Sequence, residues 1–386
     1  MSAPAGSSID PPSRRAALLE LFLLFGRLGL TAFGGPAAHV AMMEDEVVRR
    51  RGWLTEAELL DLYGATNLIP GPNSTELAIH IGHRRAGFPG LVVAGASFIL
   101  PAALVTLALA WAYVRFGALP QAHGILYGVK PVIIAVVIQA LVKLGRTALK
   151  TRFLVAVGLA CIAAAIAGVN ELALLVAAGA ACVLARRIDR PAPPAAGVLA
   201  LPFAAVPAAA APFGIGPLFL VFLKIGSVLF GSGYVLLAFL RADLVDRLHW
   251  LTEAQLLDAV AVGQFTPGPV FTTATFIGYL LGRGAGAAAA TAGIFLPAFF
   301  FVAVSGPLVP RIRASRTAGA FLDGVNVASL ALMALVTAQL ARAAVIDVPS
   351  GLLAVAGAVL LLRFGVGSAW LVLGGAMVGS IVRALG

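Results

Sequence analysis

The sequence predicts an all-α polytopic membrane protein built from two homologous helical repeats. Three observations lead there: the composition, the recurrence of apolar stretches long enough to cross a bilayer, and an internal duplication at a nearly constant offset. Of the 386 residues, 60% are hydrophobic and 11% charged, against about 25% charged in an ordinary soluble domain. Apolar stretches of spanning length recur along the whole chain. Backbone polar groups in hydrocarbon must be satisfied within the chain, so these stretches predict helices. No alternating ten-residue pattern points to a β-barrel.

The duplication is explicit. Phe25, Gly29, Phe33 and Gly34 recur 197 residues later as Phe222, Gly226, Phe230 and Gly231. WLTEAELLD (53–61) returns as WLTEAQLLD (250–258), and Pro70-Gly71-Pro72 as Pro267-Gly268-Pro269, at the same offset. Leu100-Pro101 matches Leu296-Pro297, and Gly128-Val129 matches Gly324-Val325, at an offset of 196. Aligned blocks with one residue of drift imply a duplicated gene.

The elements follow in order. Residues 1–15 are polar and Pro-rich and read as a disordered tail, with no cleavable signal peptide ahead of the first apolar stretch. The first transporter repeat, 16–187, carries apolar segments near 16–36, 59–82, 88–114, 123–142, 153–169 and 171–185. A Pro/Ala-rich linker at 188–213 is apolar enough to add one span. The second repeat, 214–386, has segments near 215–240, 256–281, 287–309, 320–341, 345–362 and 366–384. Depending on how these are counted, the chain has about 10–13 transmembrane segments.

Basic residues test the orientation. Of the 27 Lys and Arg, Arg27, Lys130 and Lys224 lie inside spans, leaving 24. Parallel halves split these 14 to 10; a crossing linker gives 17 to 7; re-entrant Pro-Gly-Pro hairpins with five crossings per half give 16 to 8. Both inverted arrangements suit the positive-inside rule better than the parallel one. The same clustering between apolar runs accounts for the net charge of +10 without a nucleic-acid partner. Cys161 and Cys182 lie in apolar segments, as small hydrophobes without disulfide or metal spacing. The five histidines show no metal spacing either, and no cofactor is expected.

The Pro-Gly-Pro segments are the main candidates for chemistry. Two prolines flanking a glycine break a helix. In a membrane such a break survives where protein or a watery cavity satisfies the freed groups. Asn73, Ser74 and Thr75 follow the first break and Thr272 and Thr273 the second, residue types that cap a new helix. A helix N-terminus offers N–H groups and a positive dipole end to an anion. Broken helices at matching positions of two repeats point to a transporter binding site. The candidate set is therefore Asn67, Pro70, Gly71, Pro72, Asn73, Ser74 and Thr75 with Gln264, Thr266, Pro267, Gly268, Pro269, Thr272 and Thr273. Gly34, Gly35 and Gly231 join it as points of close approach or local unwinding. The competing reading is a plain kink.

Arg27 and Lys224 align with each other about ten residues into their segments, near mid-membrane. A charge there costs at least about 2.5 kcal/mol, which points to an anion pathway. A structural ion pair, with Glu20, Asp61 or Asp258, is the alternative. Glu76, Asp61 and Asp258 are candidates for proton coupling, since a membrane carboxylate can carry a proton; helix capping is the alternative for Glu76. Trp53-Leu54-Thr55-Glu56 and Trp250-Leu251-Thr252-Glu253 look like an interfacial anchor followed by a helix cap.

A doubled chain with Phe33-Gly34-Gly35-Pro36, Trp53-Leu54 and Pro70-Gly71-Pro72, echoed in its second half, resembles the long two-domain form of the chromate ion transporter family. The resemblance spans 16–386. It implies efflux of chromate from the bacterial cytoplasm across the inner membrane, driven by the proton motive force, with sulfate as a structural mimic and oppositely oriented halves. In the second half Ser232 interrupts the glycine pair and Gln264 replaces Asn67, so the halves differ in detail. The expected partners are a chromate or sulfate oxyanion, protons and the lipid bilayer, with a homodimer among the assemblies allowed. Alternating access between the two breaks is the expected mechanism. An anion channel would use the same helix ends and cations. No HExxH or GxSxG motif supports an enzyme.

Overall fold

The computed structural model describes residues 13–33, 35–117, 119–189, 212–230, 235–305 and 315–385. Gly34, Gly231 and most of the expected tail and linker lie outside the described residues. Those described are helical, with no strand among them. The first half holds α1 (Arg14–Thr31), α2 (Gly35–Glu44, extended by a π-helical turn Asp45–Arg50), α3 (Glu56–Thr66), α4 (Asn73–Phe116), α5 (Pro120–Ala148), α6 (Arg152–Ile166) and α7 (Glu171–Asp189). The second repeats them as α8 (Ile215–Val228), α9 (Leu236–Leu240, with the turn Arg241–Arg247), α10 (Glu253–Phe265), α11 (Thr273–Ser305), α12 (Arg316–Ala344), α13 (Val348–Phe364) and α14 (Ser368–Leu385).

The expected caps form. The Thr55 hydroxyl accepts from the Glu58 N–H at 3.2 Å while the Glu58 carboxylate accepts from the Thr55 N–H at 2.9 Å. Thr252 and Gln255 make the same reciprocal box at the start of α10. These bonds, led by the Thr55 N–H and with Arg84 adding to them, hold the Glu58 carboxyl below its ordinary range.

The segment expected at 59–82 does not cross. It breaks at 67–72 and returns, so that Glu58 at the head of α3 pairs with Arg84 at 3.3 Å. The chain then reverses again at Ala86 and Gly87, where φ is +66°, and α4 becomes a hairpin of two arms. Small residues allow the arms to touch: a side chain at Gly82 would run into the Gly90 carbonyl, as one at Gly278 would into that of Gly286 in α11. Thr275 and Thr291, 16 residues apart, share a 2.8 Å hydrogen bond across the α11 hairpin.

The first segment, 16–36, also turns back. Helix α1 ends at Ala32, and α2 returns the chain to Trp53, whose ring lies under Arg85 at 4.5 Å. Arg85 in turn binds Glu20, near the start of α1, at 2.7 Å. The first half thus has two folded-back pairs, α1/α2 and α3 with the first arm of α4; among the described residues α4, α5, α11 and α12 are long and apolar enough to cross a membrane. The break at Ala32 reverses the chain much as the prolines do, so α1 and α2 form a second folded-back pair beside the re-entrant one.

The halves interlock. Helix α5 of the first half packs against α13 and α14 of the second, and α12 of the second against α6 and α7 of the first. A side chain at Gly128 would meet the Gly375 backbone, and one at the equivalent Gly324 the backbone of Ala178 and Gly179. Each repeat therefore completes its packing with the last two helices of the other.

Candidate functional site

The two breaks meet at the centre through reciprocal hydrogen bonds. The Gly71 N–H donates to the Leu229 carbonyl at 2.8 Å, and the Gly268 N–H to the Ala32 carbonyl at 2.9 Å. Leu229 and Ala32 are themselves repeat equivalents, so each Pro-Gly-Pro break is closed by the helix end of the opposite half. Both glycines have positive φ, +140° and +84°, which side-chain-bearing residues rarely adopt. Any anion-binding N–H groups near Gly71 and Gly268 are therefore not those of the two glycines themselves, each of which already has a carbonyl acceptor.

Beside this junction lies a cavity of about 710 Å³. The first break contributes Asn67, Pro72, Asn73 and Ser74 to its wall; the second contributes Pro269, Val270 and Phe271. Tyr63 and Pro36 complete that side. Helix α5 adds Gln139, Lys143 and Thr147, with Lys150 just beyond its end, and α12 faces it with Asp323, Asn326 and Ser329. Lys150 is largely solvent-exposed, which puts the mouth at its end of the molecule. First-turn N–H groups of α4, at Asn73 and Ser74, have no intrahelical carbonyl to reach. Asn73 donates to the Asn67 side chain at 2.7 Å, and Asn67 to the Tyr63 carbonyl at 3.0 Å, which fixes the polar rim.

Other candidates fall behind the wall. Pro70 and Gly71 are buried, as are Thr75 and Glu76. Glu76 is fully buried, and neither of its carboxyl oxygens has a hydrogen-bond partner. Its Oε1 sits against Gly71, where any β-carbon would collide with it. On the second break Thr266, Thr272 and Thr273 turn their hydroxyls back to the carbonyls of Gly263, Pro269 and Val270. Pro267 and Gly268 are buried, and neither they nor Gln264 border the cavity. Gly35, with φ +77°, starts α2 beside the rim residue Pro36.

Arg27 and Lys224 are elsewhere. Arg27 binds Glu46 at 2.6 Å in a separate cleft shared with Asp45 and Arg50. Lys224 binds Asp243 at 2.5 Å, and Arg247 joins the same carboxylate at 2.6 Å. Glu46 and Asp243 are repeat equivalents, each 19 residues after its cation. The expected pair of cations beside the breaks is corrected to two structural ion pairs, and the partners are not Glu20, Asp61 or Asp258. Folding back of α2 and α9 brings in carboxylates that a linear reading places in a loop.

Asp258 is buried and bonded to Lys130 Nζ at 3.0 Å and to the Tyr113 hydroxyl at 2.8 Å, tying α10 to α5 and α4. Asp61 lies on the exposed side of α3, outside the cavity wall. Sequence reading missed Lys143, Gln139, Asn326 and Ser329. A signal for Gln139 and Lys143 existed: with Thr147 they recur every four residues along α5, one polar stripe.

The comparisons with known proteins agree with this architecture. The family model described as Chromate transporter matches residues 19–184 and again 216–380, one match per repeat. The chain is 33% identical to the "Chromate transport protein" of Cupriavidus metallidurans, over 98% of this chain and 99% of that one. It is also 33% identical to the "Chromate transport protein" of Pseudomonas aeruginosa, over 89% and 85% of the two chains. A third relative, the "Probable chromate transport protein" of Synechococcus elongatus, is 32% identical over 87% and 88%. No solved structure matches the chain.

Proposed function

This chain belongs to the chromate transporter family, and we propose that it exports chromate, or a similar tetrahedral oxyanion such as sulfate, across the bacterial inner membrane in exchange for protons. The observation that carries this reading is a cavity to which both Pro-Gly-Pro breaks contribute and which Asn73 and Ser74, the first residues of α4, border. Such a turn suits an anion, through free N–H groups and the positive end of the helix dipole.

Three features support halves of opposite orientation. The contacts between halves are reciprocal, as at Gly71/Leu229 and Gly268/Ala32. Ala298 lies against Gly71 and its repeat equivalent Ala102 against Gly268, a second reciprocal pair, and Phe299 fills the space beside Gly95. Basic residues also gather at one end: Arg49, Arg50, Arg51, Arg84, Arg85, Arg146, Lys150, Arg152 and Arg186 outnumber Arg115, Arg241, Arg247, Arg283 and Arg383 at the other. The positive-inside rule assigns the first end to the cytoplasm. The cavity mouth is then cytoplasmic, ready to load an anion for export.

Glu76 is the group we assign to the proton, as the one carboxyl buried directly behind the first break. Asp258 is instead part of the closed end. The test is uptake of labelled chromate into inside-out vesicles, with sulfate as competitor. Saturable uptake that concentrates chromate when the lumen is acidic is expected. Non-saturating flux indifferent to the gradient would make the protein an anion channel.

A further inference from the structure

We infer that Lys143, with Ser329 and Asn326 across the cavity, forms the subsite that recognises the charge of the tetrahedral oxyanion. This inference rests on the transport reading above but names groups that neither the duplication nor the broken helices suggest.

Lys143 stands on α5, at the middle of its polar stripe and on the cavity wall. Among the described residues the two lysines held half-buried in the helices are neutralised, Lys224 by Asp243 and Lys130 by Asp258. Lys143 is accessible to solvent on the cavity wall, and among the described residues no carboxylate is paired with it. Lys150, nearer the mouth, has Asp323 at 3.6 Å. An ammonium group without a counter-ion on the wall of a cavity is the arrangement that a dianionic ligand would complete.

The facing wall supplies the second observation. Ser329 borders the cavity, is 2% exposed, and its hydroxyl has no hydrogen-bond partner. A buried hydroxyl without a partner is costly, and a ligand oxygen would satisfy it. Asn326 lies one turn away on the same helix and also borders the cavity. A tetrahedral oxyanion presents four oxygens, so it can meet an ammonium group on one side and hydroxyl and amide donors on the other.

The repeat supports a role beyond architecture. The position equivalent to Lys143 is Gln339, and those equivalent to Ser329 and Asn326 are Ile133 and Lys130. The polar set is therefore assembled from both halves and is not a relic of duplication in either.

The experiment measures chromate binding to the purified protein together with vesicle uptake, for the wild type and for Lys143→Gln, Lys143→Arg, Ser329→Ala and, as a control off the cavity wall, Arg152→Gln. Losing one charge-assisted bond should weaken binding and raise KM about 10- to 100-fold in Lys143→Gln. Lys143→Arg should stay within about threefold, Ser329→Ala should weaken binding roughly 2- to 10-fold, and Arg152→Gln should change little. Wild-type affinity in both Lys143→Gln and Ser329→Ala would overturn the subsite. Binding that depends on Lys143 without gradient-driven uptake would keep the subsite and reject proton-coupled export. A wild type that neither binds nor transports chromate would reject both.

Discussion

Lys130 and Asp258 join the halves at the end of the molecule remote from the cavity mouth, with Nζ 3.0 Å from Oδ1. Tyr113 bonds the other carboxylate oxygen at 2.8 Å. Their repeat equivalents cannot make the same pair, because Lys130 corresponds to Asn326, and Asp61, the counterpart of Asp258, faces outward on α3. One end therefore has a lock and the other an open wall. In an alternating-access cycle this asymmetry selects the resting state.

Removing both charges, in Lys130→Asn with Asp258→Asn, should unlock that end without leaving an orphan charge. A cysteine placed at Asn326 should react with an impermeant thiol reagent only from the Lys150 end in the otherwise wild-type protein. The double variant should expose it from the opposite end as well. Unchanged one-sided labelling would refute the lock. Asp258→Asn alone should also lower stability, by about 1.5–3 kcal/mol, because it leaves the half-buried Lys130 without its counter-ion.

Gly71→Ala and Gly268→Ala should each impair assembly. At both positions φ is positive, which costs a side chain about 1–2 kcal/mol. The new methyl would also strike Glu76 at one site and Ala102 at the other. Melting followed by size-exclusion chromatography should show a clear fall for both. Gly26→Ala and Gly216→Ala meet open space and should change nothing. Equal behaviour of all four would contradict the junction.

Arg27→Gln and Lys224→Met should leave the KM for chromate within about twofold, since neither residue borders the cavity. Their stabilities should differ. The Arg27 side chain is 52% exposed, and its pair with Glu46 should contribute about 1 kcal/mol or less. Lys224 and Asp243 are 19% and 4% exposed, so losing the lysine should cost more, about 1.5–3 kcal/mol, with Arg247 still pairing the carboxylate. A raised KM in either variant would restore these cations to the substrate path.

Glu76→Gln preserves the shape of a buried side chain but cannot exchange a proton. Chromate should still bind with wild-type affinity, and chromate-chromate exchange should persist. Accumulation driven by an acid lumen should be lost. If the variant still concentrates chromate under that gradient, the proton is carried elsewhere.

The sequence alone determined the class of protein, the duplication, the helix breaks, the Thr caps and the family. Each of these is local or repeated: apolar runs, Pro-Gly-Pro at a fixed offset, and Trp-Leu-Thr-Glu ahead of a helix are visible along the chain without knowing what they touch. Tertiary structure decided which charges are neutralised and which face a cavity. Arg27 looked free because Glu46 lies 19 residues away in an unrecognised return arm. Lys143 looked unremarkable because its helix reads as an ordinary span and its facing wall, α12, belongs to the other half. Charge balance in a membrane protein is set through space over a few ångströms, and in this fold those ångströms are crossed by chain reversals and swapped helices that leave little mark on local sequence.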